Sequence, residues 1–355
     1  MKAPTDSGIV ELASGIDALY CSGRGLLPDD VLHRLELGRD EAEVTGESVP
    51  IEFGGVLFEL MPHNFGRHRY RLDHPNGVLG VTSSATLPTI KIQPRAAYIH
   101  AVGALPCIRW FRSVLDEEIL NLELTASRID LHVDVQGWCL DGDDRTRFLT
   151  RATNRVTFED SEDFSGFLFG KRKSKTYMAR IYDKTLEMRQ SRADYLEDMW
   201  GDSYDPERQV LRVEFEIGRQ GLAEFGLREP EDVIAASGVL WQYCTEQWLT
   251  YRSPTDDQTR SRWPLSPEWQ RIQRSAVADS GIGLPLVRAG IRRGEGKRIV
   301  AQLTGYMVSY AAYFDLDDLE ETFAALAPVV RSQCTSRELS FEKRVQKRRR
   351  TIGLP

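Results

Sequence analysis

Within the stretch SRIDLHVDVQG (127–137), residues 128–136 alternate polar and apolar side chains without exception. On a strand, where side chains point to opposite faces with a period of two, Ile129, Leu131, Val133 and Val135 take one face, and Arg128, Asp130, His132, Asp134 and Gln136 take the other. Two further stretches repeat the pattern. In QVLRVEFEI (209–217), Leu211, Val213, Phe215 and Ile217 oppose Arg212, Glu214 and Glu216; in residues 177–184, Arg180, Tyr182 and Lys184 share a face opposite Ala179 and Ile181. Such strands call for a sheet with one apolar and one charged face. The expected fold is α+β: a largely antiparallel sheet with helices on one face, followed by a helical C-terminal portion, leaving the charged face open. Asp is disfavoured in strands, and a merely solvated face would more usually carry Thr, Lys or Glu, so two aspartates on one strand need a reason.

The remaining sequence sets limits on this reading. With 355 residues, 41% of them hydrophobic and 28% charged, the chain has the composition of an ordinary globular protein with a substantial core. No apolar run is long enough to span a bilayer and MKAPTDSG has no hydrophobic signal core, so a cytoplasmic location without membrane contact is expected. Cys21, Cys107, Cys139, Cys244 and Cys334 contain no CxxC pair and are read as small buried hydrophobes. The net charge of −7 argues mildly against wholesale nucleic-acid binding, but cations cluster at 171–175 (KRKSK), 288–298 and 343–350 (KRVQKRRR). Each cluster can hold phosphates while acidic surface elsewhere sets the total.

Along the chain, residues 1–14 are expected to be a disordered tail, with a first strand at 15–22 and a helix opening at Asp29. Strands follow at 51–60, 68–72, 78–82 and 89–93, with Asn76-Gly77 marking a hairpin, and then one helix over 98–121. Beyond Arg219 helices dominate. The Ser-, Asp-, Arg- and Pro-rich stretch 252–267 sets a domain boundary near Pro254, giving a catalytic domain over 15–253, a helical domain over 254–340 and a basic tail over 341–355.

If the three alternating strands are neighbours, their charged faces combine an acidic cluster with a tyrosine between cations. Carboxylates with at most one imidazole suit a hard cation, Mg²⁺ or Mn²⁺, better than zinc. Tyr182 is then a candidate nucleophile toward a phosphodiester, since nearby positive charge favours the phenolate, and Arg180, Lys184 or Arg212 would neutralise the phosphate oxygens. Lys171, Arg172, Lys173 and Lys175, in the loop joining two paired strands, are expected to grip DNA phosphates beside the cut without reading sequence. Taken alone, the stretch around Tyr182 fits a half-exposed tyrosine near a solvated basic patch better than a nucleophile; the neighbouring strands change that balance.

The motif order SRIDLHVDVQG, GFLFGKRKSKTYMARIYDKTLE and RVEFEI, with TIKIQPRAAYIHAVG ahead of it, resembles the replication initiation factor (Rep_trans) family. These are rolling-circle initiators of staphylococcal-type plasmids, with relatives in filamentous phages and conjugative elements. The resemblance covers roughly residues 15–250. It implies a nickase acting on one strand at an origin, single-stranded or cruciform, which leaves the 5′ phosphate on Tyr182 and a 3′ hydroxyl to prime synthesis. It also implies a metal site built from Asp130, Asp134, Glu214 and Glu216, with a homodimer and host helicase and polymerase as partners. His132 matches no family role, and Tyr177 falls on the opposite strand face from Tyr182. Two other readings stay open, a DNA-binding regulator without catalysis and a hydrolytic metal-dependent nuclease.

Overall fold

The stretch 127–137 forms the second half of β7 (Leu120–Gln136), a 17-residue strand in the middle of a large sheet. The computed structural model describes residues 8–160, 163–171, 175–191, 195–279, 303–304, 307–308, 310–335, 340–343 and 345–346. Ahead of β7 come β1 (Val10–Leu26), helix α1 (Asp29–Thr45), β2 (Val49–Phe53), β3 (Val56–Met61), β4 (Tyr70–His74), β5 (Gly77–Val81) and β6 (Ile90–Pro94). After it come β8 (Phe148–Thr150), β9 (Arg155–Asp160), β10 (Asp163–Phe169), β11 (Tyr177–Asp183), β12 (Val210–Gly218) and β13 (Leu249–Tyr251). Eleven strands pair in the order β2-β3-β4-β5-β6-β1-β7-β12-β11-β10-β9, every contact antiparallel, while β8 and β13 make a separate ribbon. The expected α+β class with a large antiparallel sheet is the observed one.

Alternation pins the register at the centre. Leu131, Val133, Val213, Phe215 and Ile181 are fully buried on one face, and a one-residue slip would drive Asp134 or Arg212 into that apolar layer. Helices α6 (Arg219–Glu224), α7 (Pro230–Ala235) and α8 (Ser237–Tyr243) cover this face, where Phe215 meets the buried Trp241 edge-on. The opposite face is not open as expected. Helices α4 (Lys184–Ser191) and α5 (Tyr195–Trp200) lie over part of it through a second apolar cluster of Met188, Leu196, Trp200 and Val210.

Several boundaries differ from the sequence reading. β1 begins at Val10, so the expected disordered tail does not reach residue 14; residues 1–7 lie outside the described residues. The single helix expected over 98–121 is α2 (Ala96–Val102) and α3 (Ala104–Leu115), broken at Gly103, whose φ of +85° leaves the helical region, and Leu120 already starts β7. The β4–β5 register pairs His74 with Gly77, placing Pro75 and Asn76 at the tip in place of Asn76-Gly77.

The chain divides into Met1–Arg288 and Ala289–Pro355, not near Pro254. The stretch after 254 stays with the first unit because α9 (Pro267–Gln273) supplies the fully buried Trp269, whose Nε1 donates to the Thr245 carbonyl at 2.8 Å, while Trp241 Nε1 donates to Ile272 at 3.2 Å. The second unit contains the helix Leu319–Thr335. The cationic cluster 288–298 and most of 343–350 lie outside the described residues. Cys21, Cys107 and Cys244 are buried as expected, but Cys139 is exposed and Cys334 partly so. Among the described residues no helix is long and apolar enough to cross a membrane.

Candidate active site

Strand register brings the three charged rows together. Across β7 and β12, Asp130 pairs with Glu216, His132 with Glu214 and Asp134 with Arg212; across β12 and β11, Glu214 pairs with Arg180 and Arg212 with Tyr182. Lys184 is not on this strand but opens α4, yet its Nζ lies 5.7 Å from the Tyr182 ring centroid and pairs with Glu187. The basic loop sits elsewhere. It joins β11 at Tyr177, five residues and roughly 16 Å of strand from Tyr182. Lys171 and Lys175 are exposed there, and Arg172 and Lys173 lie outside the described residues. Lys171 and Lys175 are therefore not beside Tyr182, as expected, but toward the far end of the β10–β11 hairpin.

The charged face is nearly dry, and its carboxylates are met by arginines. Asp130, His132, Asp134, Arg212, Glu214 and Glu216 are all buried. Arg128 holds Asp130 through two hydrogen bonds and reaches Glu216 at 2.9 Å; Arg180 holds Glu214. Arg212 donates from Nε to Asp134 Oδ1 at 2.6 Å, from Nη2 to Oδ2 at 2.7 Å and from Nη1 to Asp17 Oδ1 at 2.8 Å, and Trp200 Nε1 adds a bond to Asp134 Oδ2 at 2.8 Å. Arg212 has no exposed surface, so it organises carboxylates and does not meet the phosphate it was expected to neutralise. Burial pushes the Asp134 and Asp17 carboxyls up, but the Arg212 charge, together with the hydrogen bonds each carboxylate accepts and the neighbouring imidazoles, holds both below the usual range. Asp130 goes the other way, pushed up to about 7 by burial against the grip of Arg128, with Glu214 adding to the rise.

Tyr182 is half-buried, and its hydroxyl donates to Glu214 Oε2 at 3.0 Å. Gly166 makes room for it, since a Cβ there would stand 2.8 Å from Tyr182 Cβ and 2.7 Å from the Ile181 carbonyl. The ring forms one wall of a cavity of about 430 Å³, lined also by Arg180, Phe158, Leu186 and Glu187. The flanking cations were expected to favour the phenolate. Instead burial, reinforced by the Glu214 charge, raises the phenol well above its ordinary value against the pull of Arg212 and Arg180. A neutral phenol with a carboxylate acceptor is the result. Tyr177, on the other face, donates to Glu224 Oε2 at 2.6 Å and packs against Tyr243 and Trp248, away from this cavity.

Two residues that the strand patterns do not reveal complete the site. Asp17 sits in a β1 bulge, unpaired between Ile16, which faces Leu131, and Ala18, which faces Asp130. His100, on α2, lies 3.0 Å through Nε2 from Asp17 Oδ1, with its ring 5.3 Å from that of His132. One ligand atom each from Asp17, His100 and His132 fall within 4.8 Å of one another, and neither ring nitrogen of buried His132 has a hydrogen-bond partner. Burial, aided by the Arg212 charge, pushes His132 down to about 3, so the ring is neutral. On this face the carboxylates of Asp17, Asp130, Asp134, Glu214 and Glu216 outnumber the guanidiniums of Arg128, Arg180 and Arg212 by two. A polyanion approaching Tyr182 therefore needs compensating positive charge.

No family model and no curated protein matches the chain. Among solved structures it is similar to a rolling circle replication initiator protein from Geobacillus stearothermophilus, at 16% identity over 77% of this chain and 97% of that one, with a TM-score of 0.42.

Proposed function

We propose that the protein is a DNA-nicking strand transferase in which the Tyr182 hydroxyl attacks a phosphodiester of single-stranded DNA. The observation that carries this reading is the Tyr182 to Glu214 hydrogen bond at the wall of a cavity that also presents Arg180. The half-buried phenol holds its proton, so attack requires an acceptor, and Glu214 is in place to take it as the oxygen–phosphorus bond forms. Arg180, with 37% of its side chain exposed, faces the equatorial oxygens on which charge gathers. The 3′ oxygen leaves and takes a proton from water, giving a 5′-phosphotyrosyl link and a free 3′ hydroxyl. Phe158 offers an aromatic wall on which an unstacked base can rest.

The Mg²⁺ or Mn²⁺ expected on Asp130, Asp134, Glu214 and Glu216 fits those side chains poorly, because each is buried and paired with an arginine, Arg128 being shared by Asp130 and Glu216, and Asp134 has both oxygens engaged. The proton transfer from Tyr182 to Glu214 needs no ion on that row. Within the family resemblance, the strand cut would be one at a replication origin, with Lys171 and Lys175 holding flanking phosphates at the distal end of the hairpin. The test is incubation with a labelled origin oligonucleotide and Mn²⁺. Wild type should form a covalent adduct, and Tyr182→Phe should bind the oligonucleotide equally well and form none. Clean cleavage without an adduct would establish the hydrolytic reading instead.

A further inference from the structure

We propose that Asp17, His100 and His132 form a binding site for a divalent first-row transition metal. The three converge from separate elements, a β1 bulge, helix α2 and strand β7, and their ligand atoms lie within 4.8 Å of one another. The second observation is His132 itself: it is 1% exposed and both its nitrogens lack partners, where a buried imidazole normally satisfies at least one. Leaving a buried polar group unsatisfied is costly, and a coordination bond would offset that cost.

The donor set selects the ion. Two imidazoles and one carboxylate suit Zn²⁺, Co²⁺ or Fe²⁺ better than the all-oxygen shells of Mg²⁺ and Ca²⁺, and three protein ligands leave positions for water or a phosphate oxygen. Charge favours the same place, since carboxylates outnumber guanidiniums on this face. Arg212 opposes it through its bond to Asp17 Oδ1 at 2.8 Å, but two hydrogen bonds to Asp134 offset that guanidinium. His132 pairs across the sheet with Glu214, the acceptor of the Tyr182 proton, so the site adjoins the reacting groups. Its use in catalysis rests on the tyrosine reading; metal binding does not.

Metal-stripped full-length protein titrated with Co²⁺ should bind one equivalent, with visible bands that report nitrogen ligation, and pulsed EPR of the Mn²⁺ form should show imidazole nitrogen couplings. His100→Ala, altering a helix residue outside the sheet whose side chain is 9% exposed, should weaken Co²⁺ at least by the roughly 10- to 100-fold that loss of an outer-shell partner costs, and should remove part of the nitrogen signal. Because His132 substitutions can unfold the sheet, the wild-type spectra and His100→Ala carry the test. Absence of nitrogen ligation in wild type overturns the site. So does binding that survives His100→Ala but is lost in Asp130→Asn or Glu214→Gln, which puts the ion on the carboxylate row. Tyr182→Phe should bind Co²⁺ like wild type; failure to form an adduct with that binding intact bears on the nucleophile and not on the metal.

Discussion

Replacing Asp134 by Asn tests the buried charge pair that organises the site. Both Asp134 oxygens accept, Oδ1 from Arg212 Nε and Oδ2 from Arg212 Nη2 and Trp200 Nε1, so an amide nitrogen in either place faces a donor. Breaking one partner of a buried pair costs about 3–5 kcal/mol. Neither side chain has exposed surface, so solvent screening gives no relief, but Arg212 retains Asp17, which puts the cost near the lower end, about 3 kcal/mol. For the unit Met1–Arg288 that is a fall in Tm of about 5 °C. Urea unfolding followed by tryptophan fluorescence and by circular dichroism measures it. A loss below about 1 kcal/mol would falsify the claim that Arg212 is held dry by Asp134. The acid limb carries a second signature: the Asp134 carboxyl is held low in the fold, so its stabilisation is present above the ordinary carboxylate range and disappears as pH falls through the lower folded value. Asp134→Asn should lack that part of the acid dependence.

Three further outcomes are expected. Glu214→Gln removes the proton acceptor while the half-exposed Arg180 relaxes into solvent at little cost, so single-turnover adduct formation should fall about 10²- to 10⁴-fold, roughly 3–5 kcal/mol of barrier, with folding retained; a fall below about fivefold would contradict the role. Gly166→Ala places a Cβ against the Ile181 carbonyl and Tyr182, and should cost about 1–3 kcal/mol by chemical denaturation and slow adduct formation as Tyr182 is displaced; unchanged stability and rate would show that the strands yield freely. Asp130 has a raised folded value of about 7, so its protonated form favours folding: that contribution is complete below the ordinary Asp range and is lost as pH rises through about 7. In chelator, wild type should lose stability between pH 5 and 8 relative to Asp130→Asn, and parallel profiles would refute the shift.

The central strands were legible because β7, β11 and β12 alternate without interruption through the site, and an apolar core on one side leaves their register no freedom. Asp17 was not, because β1 has register shifts on both sides of it, between Glu11 and Ala13 and between Ile16 and Ala18, which destroy the period of two. Gly15 and Asp17, both disfavoured inside strands, were the available sign of a bulge. His100 was hidden on a helix, where strand alternation says nothing. The burial of the charged face was equally hidden, since its cover rests on Met188, Leu196 and Trp200, spaced across two short helices whose sequence otherwise reads as solvent-facing. Lys184 lay outside the strand that was expected to hold it, and still reached Tyr182 because α4 starts directly after β11.

The most direct test of the account is peptide mapping of the covalent product by mass spectrometry after reaction with a labelled single-stranded origin oligonucleotide. The nucleotide phosphate should be attached to Tyr182 within the segment RIYDK, with a free 3′ hydroxyl on the released strand. Attachment to Tyr177 or to any other residue, or cleavage with no attached nucleotide, would contradict it.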